Sequence, residues 1–118
     1  LVPYGGGAIK AIRNLVNRGR VGSAVALQSR WAANNGCADT AREEPLEDRT
    51  RSDDSRVVRV NHGDCGDGAA VILYRIEGGG HTWPGGQPYL PPWIVGTTNR
   101  DIDASEVIWQ FFADHSLP

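Results

Sequence analysis

The sequence predicts an α/β fold with about three helices and a two-stranded hairpin, whose sheet is incomplete on its own. Three observations carry this. Residues 69–77 hold Val71, Ile72, Leu73, Tyr74 and Ile76 in a nearly continuous apolar run, as in a strand buried on both faces. Residues 57–61 form a shorter β-rich run, joined to the first by the turn-forming His62-Gly-Asp-Cys-Gly-Asp-Gly68, so the two read as a hairpin. Apolar residues recur at helical spacing in three other places. A strand buried on both faces needs neighbours that these elements do not provide, which points to missing sequence. The chain also has no Met and opens on Leu1, as expected of a polypeptide cut or processed upstream.

Element by element, residues 1–7 read as the end of a connection, broken by Pro3 and three glycines. Ile9, Ile12, Leu15 and Val16 predict a helix over 8–19. Ser23 is a candidate N-cap for a second helix over 23–35, with Ala24, Leu27, Trp31 and Ala32 on its apolar stripe. Eleven of the eighteen residues in 39–56 are charged and none is aromatic, so this stretch reads as a solvated charged loop or insertion, with Pro45 against a helix. After the second strand comes Gly78-Gly-Gly-His-Thr-Trp-Pro-Gly-Gly86, then a loop rich in Pro and aromatics to residue 100. Asp103 and Glu106 match a capping box for a last helix near 104–115, with Val107, Ile108, Phe111 and Phe112 as its buried stripe. Trp31 and Trp109 sit on helix stripes and are expected in the core. His115 suits the last turn of the final helix, where a cation meets the dipole.

Charge and length exclude some functions. The net charge is −2, without the clustered Lys and Arg that a nucleic-acid footprint requires. No apolar run approaches the roughly 18 residues of a membrane span, and no basic n-region with an apolar core opens the chain. No cofactor motif is present. His62, Asp64, Cys65 and Asp67 include metal-type donors, but tight turns use the same Asp and Gly residues and no second ligand pair follows, so no metal is expected. The two cysteines, Cys37 and Cys65, are compatible with reduced thiols or with a bridge.

His81 is the sharpest functional candidate. It follows directly on a strand, in a glycine loop that lets the backbone approach closely, at the strand end where α/β sheets place functional groups. A catalytic imidazole needs that exposure and a partner at each ring nitrogen. Trp83, Tyr89 and Trp93 lie close by in sequence and are candidate walls of a substrate pocket.

The run Tyr74-Arg-Ile-Glu-Gly-Gly-Gly-His81-Thr-Trp-Pro-Gly-Gly86 resembles the catalytic-histidine segment of the polyhydroxybutyrate depolymerase and feruloyl esterase family of α/β-hydrolases. Trp31-Ala-Ala-Asn-Asn-Gly-Cys37 resembles that family's helix end and cysteine, and Asp64-Cys65-Gly-Asp-Gly68 its hairpin turn. Val2-Pro3-Tyr4-Gly-Gly-Gly7 resembles the stretch after its catalytic acid, and 103–112 its closing helix. The resemblance implies that residues 1–118 are the C-terminal segment of an α/β-hydrolase domain. It implies a Ser-His-Asp esterase in which His81 is the general base. It also implies a Cys37–Cys65 disulfide, and hence secretion or a periplasmic location. The implied substrates are esters: a polyester, or a hydroxycinnamoyl or acetyl polysaccharide.

The Gly-x-Ser-x-Gly elbow that presents a nucleophile in this fold is absent. The serines are at 23, 29, 52, 55, 105 and 116, and Val21-Gly-Ser23-Ala-Val25 has only one of the two glycines. By the family order the acid precedes Leu1. Asp101 and Asp103 follow the His81 loop, but helix capping is the preferred reading of both. The chain is therefore expected to be inactive alone and to need its N-terminal half, or else to persist as a non-catalytic module that pairs with a second copy of itself.

Overall fold

The computed structural model describes residues 2–10 and 17–116. Its centre is a three-stranded antiparallel sheet in the order β3-β4-β5, formed by β3 (Ala41–Pro45), β4 (Arg56–His62) and β5 (Val71–Glu77). The expected hairpin is β4–β5, with Val60 opposite Leu73 and Val58 opposite Arg75. Its turn includes Asp64 and Asp67 at positive φ, where Asp is among the better tolerated residues. The core lies on β4, where Val57, Val58 and Val60 are buried. In contrast to the expected two-sided burial, β5 is only half-buried along its whole length. Its far edge pairs with no strand among the described residues.

The charged stretch is ordered, and part of it is the edge strand β3. An edge tolerates this composition because one side of the strand needs no partner, and charges there discourage pairing with other chains. Pro45 fits for the same reason, since a proline at an edge removes no ladder bond. Opposite charges meet across the sheet. Glu44 faces Arg59 directly and contacts it at 3.5 Å. The Arg75 guanidinium on β5 grips Glu43 on β3 with two bonds of 3.0 Å, and Arg56 holds Glu77 at 2.6 Å.

The predicted helix over 8–19 is not observed. Gly7–Lys10 (β1) and Asn17–Val21 (β2) pair as a separate antiparallel ribbon, while Ile12, Leu15 and Val16 lie outside the described residues. The remaining elements are α1 (Ala24–Asn34), the single-turn α2 (Pro92–Val95) and α3 (Ala104–Asp114). Ser23 caps α1, its hydroxyl accepting the Ala26 N–H at 3.0 Å. Asp103 caps α3 by accepting from the Ser105 and Glu106 amides. The His115 Nδ1–H donates to the Phe111 carbonyl at 2.8 Å, and its ring stacks on that of Phe111.

The bridge between Cys37 and Cys65 is formed and joins the end of α1 to the hairpin turn. Around it the Gly66 amide donates to the Asn35 carbonyl, the Ala38 amide to the Gly63 carbonyl, and His62 Nδ1–H to the Ala38 carbonyl. A disulfide closing a loop of this length contributes about 3–4 kcal/mol in the chain-entropy model.

Of the expected stripes, Ala32 is buried, but Trp31 and Trp109, expected in the core, are not. Trp31 is 56% exposed, Trp109 71% and Phe112 63%, and Leu27 and Ile108 are exposed as well. Ala24, Val107 and Phe111 are half-buried, so the open apolar surface is made by Leu27 and Trp31 on α1 and by Ile108, Trp109 and Phe112 on α3. Between α1 and β5 a groove of about 430 Å³ is lined by Leu27, Trp31, Val71, Leu73 and Phe111. The whole chain exposes 8674 Å², against about 6,300 Å² for a compact monomer of its mass. The radius of gyration is 15.9 Å, against about 13.5 Å for a compact domain of this length.

Candidate active site around His81

His81 is held by its backbone. The chain leaves β5 through Gly78, at φ +74°, and passes so close to the loop before β4 that a Cβ on Gly78 would strike the Asp54 carbonyl. At Gly80 the backbone presses against Gly96, and a Cβ there would strike the Val95 carbonyl. That approach brings a second segment, residues 95–99, alongside the His81 loop. Gly80 N–H donates to the Thr97 carbonyl at 2.7 Å, His81 N–H to the Val95 carbonyl, and Gly85 N–H to the Asn99 carbonyl at 2.8 Å. The Thr82 hydroxyl also donates to the Thr97 carbonyl, at 3.2 Å. Carbonyls 95, 97 and 99 thus receive the loop at alternate positions, as a strand would.

The His81 side chain is exposed, and its imidazole has no hydrogen-bond partner among the described residues. It lines an open groove of about 740 Å³ together with Tyr74, Ile76, Trp93 and Ile94. Val2 and Tyr4 line the same groove. The Tyr4 carbonyl accepts the Ala24 N–H at 3.0 Å, which fixes the N-terminal segment at the start of α1.

Of the three candidate pocket residues, Trp93 is on the groove and 84% exposed. The Tyr89 hydroxyl donates to the His81 carbonyl at 3.2 Å. The Trp83 indole N–H donates to the Ser105 hydroxyl at 3.1 Å, tying the ring to the start of α3. Ser23 does follow a strand, β2, contrary to expectation, so strand, turn and helix are all present. Its φ of −73° is nevertheless unstrained, unlike a nucleophile elbow, and its hydroxyl serves as the cap of α1. Cys65 is spent in the disulfide and His62 is 8% exposed. Among the described residues no cluster of three or more metal-type side chains occurs. No helix among them is long and apolar enough to cross a membrane.

Asp101 differs from its capping reading. It is 3% exposed, and one carboxylate oxygen accepts the Arg49 and Thr50 amides while the other accepts from Asn99 Nδ2. Neither Asn99 nor Ser55, both buried beside it, stands out in sequence. An Asn-x-Asp step in a polar loop has no periodicity to mark it.

No family model matches the chain, and no solved structure matches it. Among curated proteins it is similar to "Putative esterase NocK" of Nocardia uniformis subsp. tsuyamanensis, at 32% identity over 77 residues. The match covers 64% of this chain and 22% of that protein, so the chain spans about a fifth of its relative's length. The likeness is to an esterase in the broad sense and does not reach the narrower depolymerase and feruloyl esterase family.

Proposed function

We propose that this chain supplies the general base, His81, to a secreted carboxylic ester hydrolase of α/β-hydrolase fold, the nucleophile and acid coming from polypeptide outside residues 1–118. The observation that carries the reading is an exposed imidazole on a backbone-clamped glycine loop at the end of β5, facing an open apolar groove. Similarity to an esterase supports it. Because Val2 and Tyr4 line the groove, a carboxylate borne by residues that precede them would enter beside His81.

In the reaction, the imidazole takes the proton of a serine hydroxyl as the serine oxygen bonds to the ester carbonyl carbon. The imidazolium then returns the proton to the departing alkoxide, and an acyl-enzyme remains. Water, deprotonated by the same imidazole, attacks the acyl carbon, and the imidazolium returns that proton to the departing serine oxygen as the acid is released. The acid partner holds the ring in its productive tautomer. Trp93 offers an aromatic wall suited to an acyl or hydroxycinnamoyl group. Hydrolysis of polyhydroxyalkanoate, or of feruloyl or acetyl esters of polysaccharide, is the substrate range proposed.

The uncovered apolar faces of α1 and α3 support a partner for this chain. In this reading it is the N-terminal part of the same hydrolase domain. A second copy of the chain is the competing occupant, and the open edge of β5 favours either.

The test is fluorophosphonate labelling and p-nitrophenyl ester hydrolysis by the full-length gene product. His81→Ala is expected to abolish labelling and to lower kcat by roughly 10⁴-fold or more. Stability should stay within about 0.5 kcal/mol, since the side chain is exposed. Unchanged turnover would remove His81 from the site.

A further inference from the structure

We infer that Asp101 and Asn99 are positioning residues for His81: a buried carboxylate–amide pair that fixes residues 95–99 as a splint along the His81 loop. The inference rests on the esterase reading for its functional half and on geometry alone for its structural half.

Three polar side chains are buried here where apolar ones would fill space equally well: Asn99 at 1% exposure, Asp101 at 3% and Ser55 at 4%. Buried polar groups are tolerated when their bonds are made, and these bonds are nearly all made. Asp101 accepts from the Arg49 amide at 2.9 Å, the Thr50 amide at 3.2 Å and Asn99 Nδ2 at 2.9 Å. Asn99 Oδ1 accepts the Asp101 N–H at 3.1 Å, closing a reciprocal pair. Asn99 Nδ2 also donates to the Ser55 hydroxyl at 2.9 Å, and that hydroxyl donates to Asp53 at 2.7 Å. The cluster thus joins three stretches of chain: the charged loop at 49–50, the turn before β4 at 53–55, and the splint itself.

The connection to His81 runs through one residue. The Asn99 side chain belongs to the buried cluster, while its carbonyl accepts the Gly85 N–H. Thr97 and Val95, two and four residues earlier, accept from Gly80 and His81. The imidazole has no partner of its own among the described residues, so its location is set by the backbone beneath it. Hydrogen-bond geometry is directional where apolar packing is not. A reciprocal amide–carboxylate pair therefore fixes the register of the splint against the loop. A shift of about 1 Å in a reacting group costs on the order of 10²-fold in rate. The charged loop acquires a purpose as well, because its amides at 49 and 50 are the donors that satisfy Asp101.

Hydrogen exchange read by mass spectrometry on the full-length protein, comparing peptides over 78–90 with peptides over β4 and β5, tests this. In Asp101→Ala, exchange over 80–85 should rise by about 10-fold or more while β4 and β5 keep their protection. Asp101→Asn can accept from the amides of 49 and 50 but can no longer accept from Asn99 Nδ2. It should give a smaller rise and serves if the alanine variant does not fold. In both, kcat should fall with KM unchanged, by about 10–100-fold for alanine. Unchanged exchange over 80–85, or an equal rise throughout β4 and β5, would overturn the positioning role. A rise confined to 80–85 with full kcat would overturn its functional half. Absence of hydrolysis in the unsubstituted protein would count against the esterase reading alone, since the exchange result does not depend on it.

Discussion

Gly80 is where local sterics and the site meet. Its missing side chain lets two backbones touch, and the bonds from Gly80 and His81 to carbonyls 97 and 95 depend on that approach. Gly80→Ala would force the loop off the Val95 carbonyl. Overpacking of this kind costs roughly 1–3 kcal/mol, read as a lower urea midpoint, and should also raise exchange at the His81 amide. A midpoint equal to that of the unsubstituted protein would mean that the splint yields freely. The glycine run was legible in the sequence as a place where backbones could approach. What it approaches was not, because the partner segment lies fifteen residues further on and Gly96 by itself reads only as a loop glycine. Asp101, two residues before the Asp103 cap, has the sequence signature of a capping acid, and only its burial and its bonds to Arg49, Thr50 and Asn99 show otherwise.

At the scale of elements, spacing succeeded where it was long and failed where it was short. The run at 69–77, the cap at Ser23 and the helix from Asp103 were readable because period and terminal chemistry agreed. Four apolar residues between 9 and 16 fitted a helix by spacing, yet the glycines before them and Gly19, at φ +97° inside β2, favour a ribbon. The edge strand β3 was hidden by its charges, which the cross-strand arginines explain. Those arginines make β3 sensitive to acid. The hydrogen bonds and charge of Arg75 hold the Glu43 carboxyl below the usual glutamate range, and Arg56 chiefly does the same for Glu77. Carboxyls lowered by folding lend stability that is present above their unfolded pKa, about 4.3, and is lost as pH falls through the folded values. The Cα chemical shifts of Ala41–Pro45 should therefore move toward unfolded values as pH drops below about 4.3, before those of β4 and β5. Glu43→Gln should remove that step, and simultaneous loss of all three strands would contradict it. The bridge between α1 and the hairpin turn should matter at every pH. Replacing Cys37 and Cys65 together by Ser should lower the unfolding free energy by about 3–4 kcal/mol. Reductant should reproduce that loss in the unsubstituted protein, and a smaller effect would mean that the flanking bonds at Asn35, Ala38 and Gly63 hold the junction alone.

Over the whole molecule the surface is the dominant fact. Helical spacing marked the apolar residues of α1 and α3, and Ala32 is indeed buried, but it did not tell that Leu27, Trp31, Ile108, Trp109 and Phe112 would stay exposed among the described residues. The surface exceeds that of a compact monomer by about 2,400 Å², while one side of a standard stable interface needs only about 800 Å². Part of that surface is apolar, with Leu27, Trp31, Ile108, Trp109 and Phe112 exposed on the two helices, and exposed apolar patches mark interaction surfaces or drive association. The 118-residue chain alone should therefore self-associate, with a sedimentation-velocity average that rises with concentration and with bound anilinonaphthalene dye. Trp31→Glu combined with Trp109→Glu should shift it toward monomer, because charge on both helix faces opposes burial of either. If the proposed hydrolase reading holds, the rest of that domain should do the same by covering those faces, and should quench dye binding. A chain that sediments as a monomer at every concentration and binds no dye would mean that the helices close on themselves in solution, and both proposed occupants of the surface would fall together.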